Sequence, residues 1–171
     1  ETFSFLLNTT ILYGSGSRNK IIDTLLDRKW LSIGICIDKN IANLPMFADI
    51  LEKLQSHLNY LFIQEIDITE PTYDYIESIR DNFSNTKLDA IIGIGGGSAL
   101  DVAKGISVLI NNKKPAISYK GFDKMTEPAL PLICVPTTAG TGSEITPNAS
   151  FIDTKENRKL GINGESVRPK Y

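Results

Sequence analysis

Histidine and cysteine are scarce in this sequence, which limits the chemistry that its own side chains could perform. The 171 residues include one histidine, His57, and two cysteines, Cys36 and Cys134. One histidine cannot build a metal site with several histidine ligands, and we interpret His57 as a residue on a helix surface. Both cysteines lie inside apolar, strand-like runs, so we expect buried free thiols rather than a disulfide bond.

An excess of basic residues and long apolar runs are also missing. The formal net charge is −2, which argues against a nucleic-acid partner. No run approaches the ~20 apolar residues of a membrane span, and no signal segment is visible. We therefore expect a cytoplasmic protein of one domain without membrane contact. Because the chain starts with Glu1 rather than Met, we expect an excerpt or a processed form of a longer chain.

Two common phosphate-binding motifs are absent as well. The sequence contains no GxxxxGK[ST] string, and in Gly93-x-Gly95-x-x-Ser98 a serine stands where the dinucleotide fingerprint has its last glycine. No Asp or Glu lies near Pro115, about twenty residues on, where that fingerprint expects a ribose ligand. Neither a P-loop nor an ordinary Rossmann turn is therefore expected.

What the chain does contain is a glycine turn within IIGIGGGSALDVAK, residues 91–104. An apolar run ends in Gly95, Gly96 and Gly97, and a helical pattern follows Ser98. Ser98 could cap that helix, with Asp101 three residues later in a box-like arrangement. Free backbone N–H groups at a helix start suit a phosphate. A merely flexible Gly-Ser turn is the alternative, which the flanking strand and helix disfavour.

Alternation of strands and helices along the chain predicts an α/β fold. The apolar run before the glycine turn is one strand, and we expect others at residues 30–37, 61–66 and 130–135, with helices at residues 18–28, 46–59 and 73–83 and after Ser98. Helices of this length between strands predict a parallel sheet covered on both faces. Residues 2–8 and 10–13 are β-prone and predict an N-terminal hairpin, whose edge could pair with a second copy in a homo-oligomer.

Ligands of such sheets bind at the carboxyl ends of the strands, which places three stretches at the same edge. Residues 136–146, PTTAGTGSEIT, follow a buried strand with hydroxyls and small residues that could hydrogen-bond a phosphate or ribose. An ordinary Thr/Gly-rich loop is the alternative. Asp38 ends another strand and could accept both hydroxyls of an adenosine ribose, or it could be a turn or cap residue.

GIGGGSALDVAK followed by PLICVPTTAGTGSEIT strongly resembles the iron-containing (group III) alcohol dehydrogenase family. Both motifs occur in family order, and the resemblance runs from about Phe3 to Tyr171. It implies a Rossmann-like, dehydroquinate-synthase-like architecture in which residues 1–171 form the N-terminal NAD(P)-binding domain. One departure is Glu70-Pro71, where family members often carry Asn-Pro, so Glu70 is not expected to be a ligand.

The resemblance also implies roles for individual residues. Gly95, Gly96, Gly97 and Ser98 would hold the pyrophosphate, and Asp101 would support that loop. Asp38 matches the ribose position and favours NAD over NADP. The remaining implied contacts are Thr137, Thr138 and Thr141 along the nucleotide, Thr146 near it, Lys159 in a polar hairpin at residues 153–159, and Asn148 toward the nicotinamide and substrate. A solvated hairpin charge is the alternative for Lys159.

Enzymes of this family polarise the substrate with a divalent metal, commonly iron or zinc, held by one Asp and three His of a helical C-terminal domain. The resemblance therefore implies that the metal site and that domain are absent from this chain. We expect the nucleotide-binding half of a metal-dependent dehydrogenase that transfers a hydride between a small-molecule alcohol and NAD(P), inactive or nearly so alone. A non-catalytic nucleotide-binding module and a dehydroquinate-synthase-like lyase half are the alternatives.

Overall fold

The structure is a computed structural model that describes residues 2, 7–84 and 86–171. Its helices are α1 (Lys20–Arg28), α2 (Lys39–Ala42), α3 (Pro45–His57), α4 (Tyr73–Phe83) and α5 (Gly97–Leu109). Its strands are β1 (Ser32–Asp38), β2 (Tyr60–Ile66), β3 (Ala90–Gly95), β4 (Gly121–Phe122), β5 (Leu132–Pro136), β6 (Asn148–Asp153) and β7 (Arg158–Asn163). Short 3-10 turns cover Ser17–Asn19, Ala116–Tyr119 and Glu165–Val167. In the described part of the chain, no helix is long and apolar enough to cross a membrane.

The main sheet has the strand order β2-β1-β3-β5, and every neighbouring pair is parallel. Its inner strand β3 is buried at every position, as expected for an apolar strand between helical layers. Gly95 of β3 is in register with Pro136 of β5. The carboxyl ends of these two strands therefore stop side by side, where the sequence places its ligand stretches.

Helices cover both faces of this sheet, which confirms the predicted α/β architecture. On one face, α4 and α5 bury side chains such as Ile76, Phe83 and Ile106. On the other face, α1 and α3 bury Leu25 and Leu54. Alternate residues of a strand point to opposite sides of the sheet. Both faces are apolar because the buried strands carry apolar residues at consecutive positions.

Helix α5 lies directly on β3, and Gly93 makes this approach possible. A Cβ at Gly93 would lie 2.7 Å from the Cβ of Ala103. Cys36 and Cys134 are in register with Gly93 on the two neighbouring strands. Both are buried free thiols, as predicted, and burial raises the pKa of Cys134 to about 12.

A second, smaller sheet packs beside α5 in the order β4-β7-β6. Strands β6 and β7 form an antiparallel hairpin that pairs Asp153 with Arg158, so the polar hairpin expected here is present. Phe151 of β6 is fully buried, and its ring packs against that of Tyr73 in α4 at 5.5 Å between centroids. This contact packs the hairpin against α4.

The prediction of an N-terminal β-hairpin is wrong for its second strand, because residues 10–13 form no strand. The Thr10 amide donates instead to the Lys170 carbonyl at 2.9 Å, and the Thr9 hydroxyl donates to the Pro169 carbonyl at 2.8 Å. Residues 9 and 10 therefore run along the C-terminal segment. Residues 3–6 of the first strand lie outside the described residues, so the homo-oligomer based on this edge stays a prediction.

Candidate functional site

The glycine turn between β3 and α5 is enclosed on two sides. At Gly95, φ is +148°, and a Cβ there would lie 2.7 Å from the Ala99 Cβ and 2.9 Å from the Asp38 Cβ. A Cβ at Gly96 would lie 3.0 Å from Oγ1 of Thr138. Real Cβ atoms do not tolerate contacts as short as those at Gly95, which therefore requires glycine, and a Cβ at Gly96 would force the Thr138 side chain to shift. The turn consequently presents backbone rather than side chains at the start of α5.

Helix α5 begins at Gly97 with Gly96 as its N-cap, and no side chain caps it. The prediction that Ser98 caps this helix is therefore wrong, because the helix starts before it and places Ser98 in the first turn. The Ser98 hydroxyl donates to the Thr69 carbonyl, which ties the turn to the loop after β2. The first-turn N–H groups of α5 remain the donors suited to an anion.

The box-like role predicted for Asp101 is wrong for the same reason. Its carboxylate accepts hydrogen bonds from the Ser143 hydroxyl at 2.6 Å and from the Ser150 amide at 3.1 Å. Asp101 thus connects α5 to the loop after β5 and to β6. Burial raises the pKa of Asp101, while these two hydrogen bonds and the ammonium of Lys104 act in the opposite direction.

The loop after β5 forms the second wall, as the sequence predicts. The Thr137 amide donates to the Gly95 carbonyl at 3.0 Å, and the methyl and Cβ of Thr141 lie 3.6 Å from the position of a Cβ at Gly97. The structure therefore brings Asp38, the glycine turn and the threonine loop to one edge of the sheet. Asp38 also accepts a 2.8 Å hydrogen bond from the Asn40 amide, so the alternative role as a cap residue is observed.

Beside this edge lies a polar cleft of about 590 Å³ between the start of α5 and the β6–β7 hairpin. Its lining includes seven of the predicted site residues: Gly97, Ser98, Asp101, Thr141, Thr146, Asn148 and Lys159. The other predicted residues, Asp38, Gly95, Gly96, Thr137 and Thr138, lie outside the lining, along the turn and the strand ends. Pro71, Ser143 and Ser150 also line the cleft and were not predicted.

Two predicted residues on the hairpin have partners within the protein. The Asn148 amide group donates to Oδ1 of Asn163 and accepts from the Ser150 hydroxyl at 2.8 Å. The ammonium of Lys159 lies 3.7 Å from a carboxylate oxygen of Glu70 across the cleft, and both side chains are more than half exposed. Lys159 is therefore both a solvated charge and a cleft residue.

Lys104 lies beneath the cleft and is fully buried. Its ammonium donates to the Asn148 carbonyl at 2.8 Å, to Thr146 Oγ1 at 3.0 Å and to Ser143 Oγ at 3.4 Å. Burial lowers the pKa of Lys104, and Asp101, at 3.9 Å, partly offsets that effect. Sequence reasoning missed this residue, although a lysine on an otherwise apolar stretch of helix was a usable signal.

Comparison with known proteins identifies the architecture. A sequence model described as iron-containing alcohol dehydrogenase matches residues 8–171. The chain belongs to the iron-containing alcohol dehydrogenase family. A sulfoacetaldehyde reductase of Bilophila wadsworthia is 34% identical over 91% of this chain and 40% of that protein. The chain thus spans about two fifths of this curated relative.

Solved structures of similar proteins share the fold. An alcohol dehydrogenase from Oenococcus oeni superposes with a TM-score of 0.88 at 27% identity, over 98% of this chain and 44% of that one. A sulfoacetaldehyde reductase from Bifidobacterium kashiwanohense, solved in complex with NAD+, gives a TM-score of 0.88 at 22% identity, over 99% and 45%. The resemblance seen in the two motifs is therefore confirmed.

The residues that the structure describes do not fit the metal centre that the family name implies. Within residues 2, 7–84 and 86–171, no three His, Cys, Asp or Glu side chains are grouped in a way that could hold an ion. His57 lies exposed on α3, with Nδ1 2.7 Å from the Lys53 carbonyl oxygen. The glycine turn, by contrast, fits a dinucleotide, because the three glycines leave the anion side of the backbone uncovered.

Proposed function

We propose that this chain is the nucleotide-binding half of a cytoplasmic, metal-dependent dehydrogenase that transfers a hydride between a small alcohol or aldehyde and NAD. The observation that carries the proposal is the glycine turn at the start of α5, where Asp38 and Ala99 leave no room for a Cβ at Gly95 and Thr138 crowds a Cβ at Gly96. A pyrophosphate needs this close approach to backbone N–H groups. The relatives support the reaction class, since they include an aldehyde reductase, an alcohol dehydrogenase and a reductase solved with NAD+.

In this proposal different site residues contact different parts of the dinucleotide. The amides of Gly96, Gly97 and Ser98, after the turn at Gly95, hold the pyrophosphate, and Thr138 and Thr141 flank it, beside Thr137. Asp38 accepts the adenosine ribose hydroxyls and repels a 2′-phosphate. Asp101 keeps the cleft wall in place through Ser143 and Ser150. When bound, NAD supplies the hydride acceptor of the reaction.

The hairpin side of the cleft would hold the other end of the cofactor. Lys159 would offer its exposed ammonium to a phosphate or ribose oxygen, and Asn148 and Thr146 would offer polar groups toward the nicotinamide. The iron or zinc that polarises the substrate oxygen would belong to a helical domain outside these residues. This division agrees with the two-fifths coverage of the relatives.

Fluorescence titration with NADH and then NADPH, following energy transfer from Trp30 and the tyrosines, tests the proposal. We expect saturable binding of NADH and at least tenfold weaker binding of NADPH, and the variant Asp38→Asn should narrow that difference. Equal affinities of the unmodified protein for NADH and NADPH would mean that Asp38 acts only as a helix cap. Failure of both dinucleotides to bind would contradict the proposal.

A second measurement separates the reaction classes. The protein that contains both this half and its metal-binding domain should form NADH from NAD+ and a small alcohol. No net NADH formation would favour the lyase, which uses the cofactor transiently, or a non-catalytic module.

A further inference from the structure

We propose that Lys104 is a positioning residue for the dinucleotide: its ammonium holds the Thr146 hydroxyl so that this group donates its hydrogen into the cleft. The inference rests on the proposed function, because the acceptor it invokes is an oxygen of the bound cofactor. It adds a residue that does not itself reach the cleft surface.

The hydrogen bonds around Lys104 determine which groups donate and which accept. A protonated lysine has three donors and no acceptor, and the three oxygens within reach belong to Ser143, Thr146 and Asn148. Each of these oxygens must therefore accept. The Thr146 hydroxyl keeps its own hydrogen for another partner.

Thr146 and Ser143 differ in where that hydrogen goes. Ser143 donates to the Asp101 carboxylate at 2.6 Å, so its hydroxyl is used within the protein. Thr146 lines the cleft and is half-buried, and none of the described residues accepts from its hydroxyl. The cleft thus receives a hydrogen-bond donor held by Lys104, which matches a ribose or carboxamide oxygen at the nicotinamide end of the cofactor.

Stability alone gives a poor reason for a lysine at this position. Burying an ammonium is unfavourable because it loses its hydration, and replacing buried ion pairs by apolar residues of similar volume is often neutral or stabilising. The charged groups that face Lys104 are Asp101, Glu144 and Arg168, together with the Cys134 thiol. Asp101 at 3.9 Å balances the lysine charge, so Lys104 contributes direction rather than net attraction for the cofactor.

The test compares NADH binding by four variants: Thr146→Val, Thr146→Ser, Lys104→Met and the double variant Lys104→Met/Thr146→Val. We expect Thr146→Val to weaken NADH binding by about 5- to 10-fold, the loss of one hydrogen bond. Thr146→Ser keeps the hydroxyl and should stay within about twofold of the unmodified protein. Lys104→Met should weaken NADH binding at least as much as Thr146→Val does. The double variant should bind NADH with an affinity within about twofold of that of Lys104→Met.

AMP serves as the internal control, since it would use only the Asp38 side of the turn and should bind all four variants equally. Lys53→Met, at an exposed ion pair on α3, controls for the loss of one lysine. Where Lys104→Met alone fails to fold, Asp101→Asn serves as the background and removes the unpaired carboxylate. The same comparison of Lys104→Met with and without Thr146→Val is then made in that background.

Two results would overturn the inference. One is unchanged NADH affinity in Thr146→Val, and the other is strictly additive losses from Lys104→Met and Thr146→Val, which is what independent structural damage produces. Both presuppose that the unmodified protein binds NADH. Absence of binding by the unmodified protein would instead contradict the proposed function.

Discussion

The Thr137 amide donates a 3.0 Å hydrogen bond to the carbonyl of Gly95, so the threonine loop begins joined to the glycine turn. The two stretches are forty residues apart along the chain, yet β3 and β5 end together and make them neighbours. A change in one wall of the site is therefore expected to alter the other.

Gly95→Ala should abolish nucleotide binding and destabilise the fold. Its φ of +148° is a conformation that L residues rarely adopt, and the new Cβ would meet Ala99 and Asp38 at 2.7 and 2.9 Å. We expect a loss of about 2–4 kcal/mol in the free energy of unfolding. Urea denaturation and NADH titration measure the two effects.

Gly97→Ala is the matched control for this glycine. Its Cβ would make ordinary contacts of 3.6 Å with Thr141, so stability should change by less than about 1 kcal/mol, since alanine favours a helix. NADH affinity should still fall because the methyl group covers the anion side of the turn. Tight NADH binding by Gly97→Ala would argue against pyrophosphate at this position.

Close packing of α5 on β3 gives a second prediction. Gly93→Ala places a Cβ 2.7 Å from Ala103, and Gly34→Ala places one 2.8 Å from both Leu88 and Phe83. Each should destabilise the protein by about 1–3 kcal/mol through overpacking. Only Gly93→Ala displaces the helix that begins at the glycine turn, so only this variant should also weaken NADH binding at temperatures where both are folded. Equal NADH affinity in the two folded variants would contradict the idea that the packing of α5 on β3 positions the glycine turn.

Local sequence patterns are enough to predict the helices and the type of sheet in this fold. The helix at residues 73–83 matches α4 at both ends, because Thr72 caps it, accepting from the Tyr75 amide at 3.0 Å, and its apolar positions recur at helical spacing. The parallel sheet follows from buried runs that alternate with helices. The predicted hairpin of residues 2–8 and 10–13 fails in its second strand, because a β-prone run does not say which segment it will pair with.

The site divides in the same way. Gly95–Ser98, the threonine loop and Lys159 are motif residues, and the structure places them together at the strand ends or in the cleft. The capping roles of Ser98 and Asp101 are wrong because a capping pattern also fits a helix that starts two residues earlier, at Gly97. Lys104 was missed because its partners, Thr146 and Asn148, lie about forty residues away along the chain, and only the packing of α5 on β6 brings them within reach.

Acid should weaken the ion pair between Glu165 and Arg168 at the C-terminal 3-10 turn. Arg168 donates to both oxygens of Glu165 at 2.7 and 2.9 Å and lowers the pKa of Glu165 from 4.5 to about 2. A lowered folded-state pKa stabilises the protein above the unfolded pKa, and that stabilisation is lost as the pH falls from 4.5 toward 2. Because Glu165 is largely exposed, screening limits the effect to about 1 kcal/mol or less.

Denaturation curves between about pH 6 and pH 2 measure this contribution. Glu165→Gln should lose less stability over that range than the unmodified protein. Glu52→Gln, on the exposed side of α3, controls for the loss of one surface carboxylate. Identical pH profiles for Glu165→Gln and the unmodified protein would show that the ion pair contributes nothing in solution.

Lys159→Met should weaken NADH binding without lowering stability. Its ammonium lies 3.7 Å from Glu70, and both side chains are more than half exposed, so the ion pair contributes little to folding. A phosphate or ribose oxygen in the cleft would offer the lysine a partner in place of Glu70. We expect about a 3- to 10-fold loss of NADH affinity, which should shrink as salt screens the charge in both proteins.

Lys155→Met, at the tip of the same hairpin and outside the cleft lining, is the matched control and should bind NADH normally. Glu70→Gln should act in the opposite direction, because it frees Lys159 and removes a carboxylate that repels the phosphates. Equal losses in Lys159→Met and Lys155→Met would show that the hairpin charges attract the cofactor only at long range. Lys159 would then be a solvated hairpin charge, and the inner wall of the cleft, formed by Thr146 and Ser98, would bind the cofactor without it.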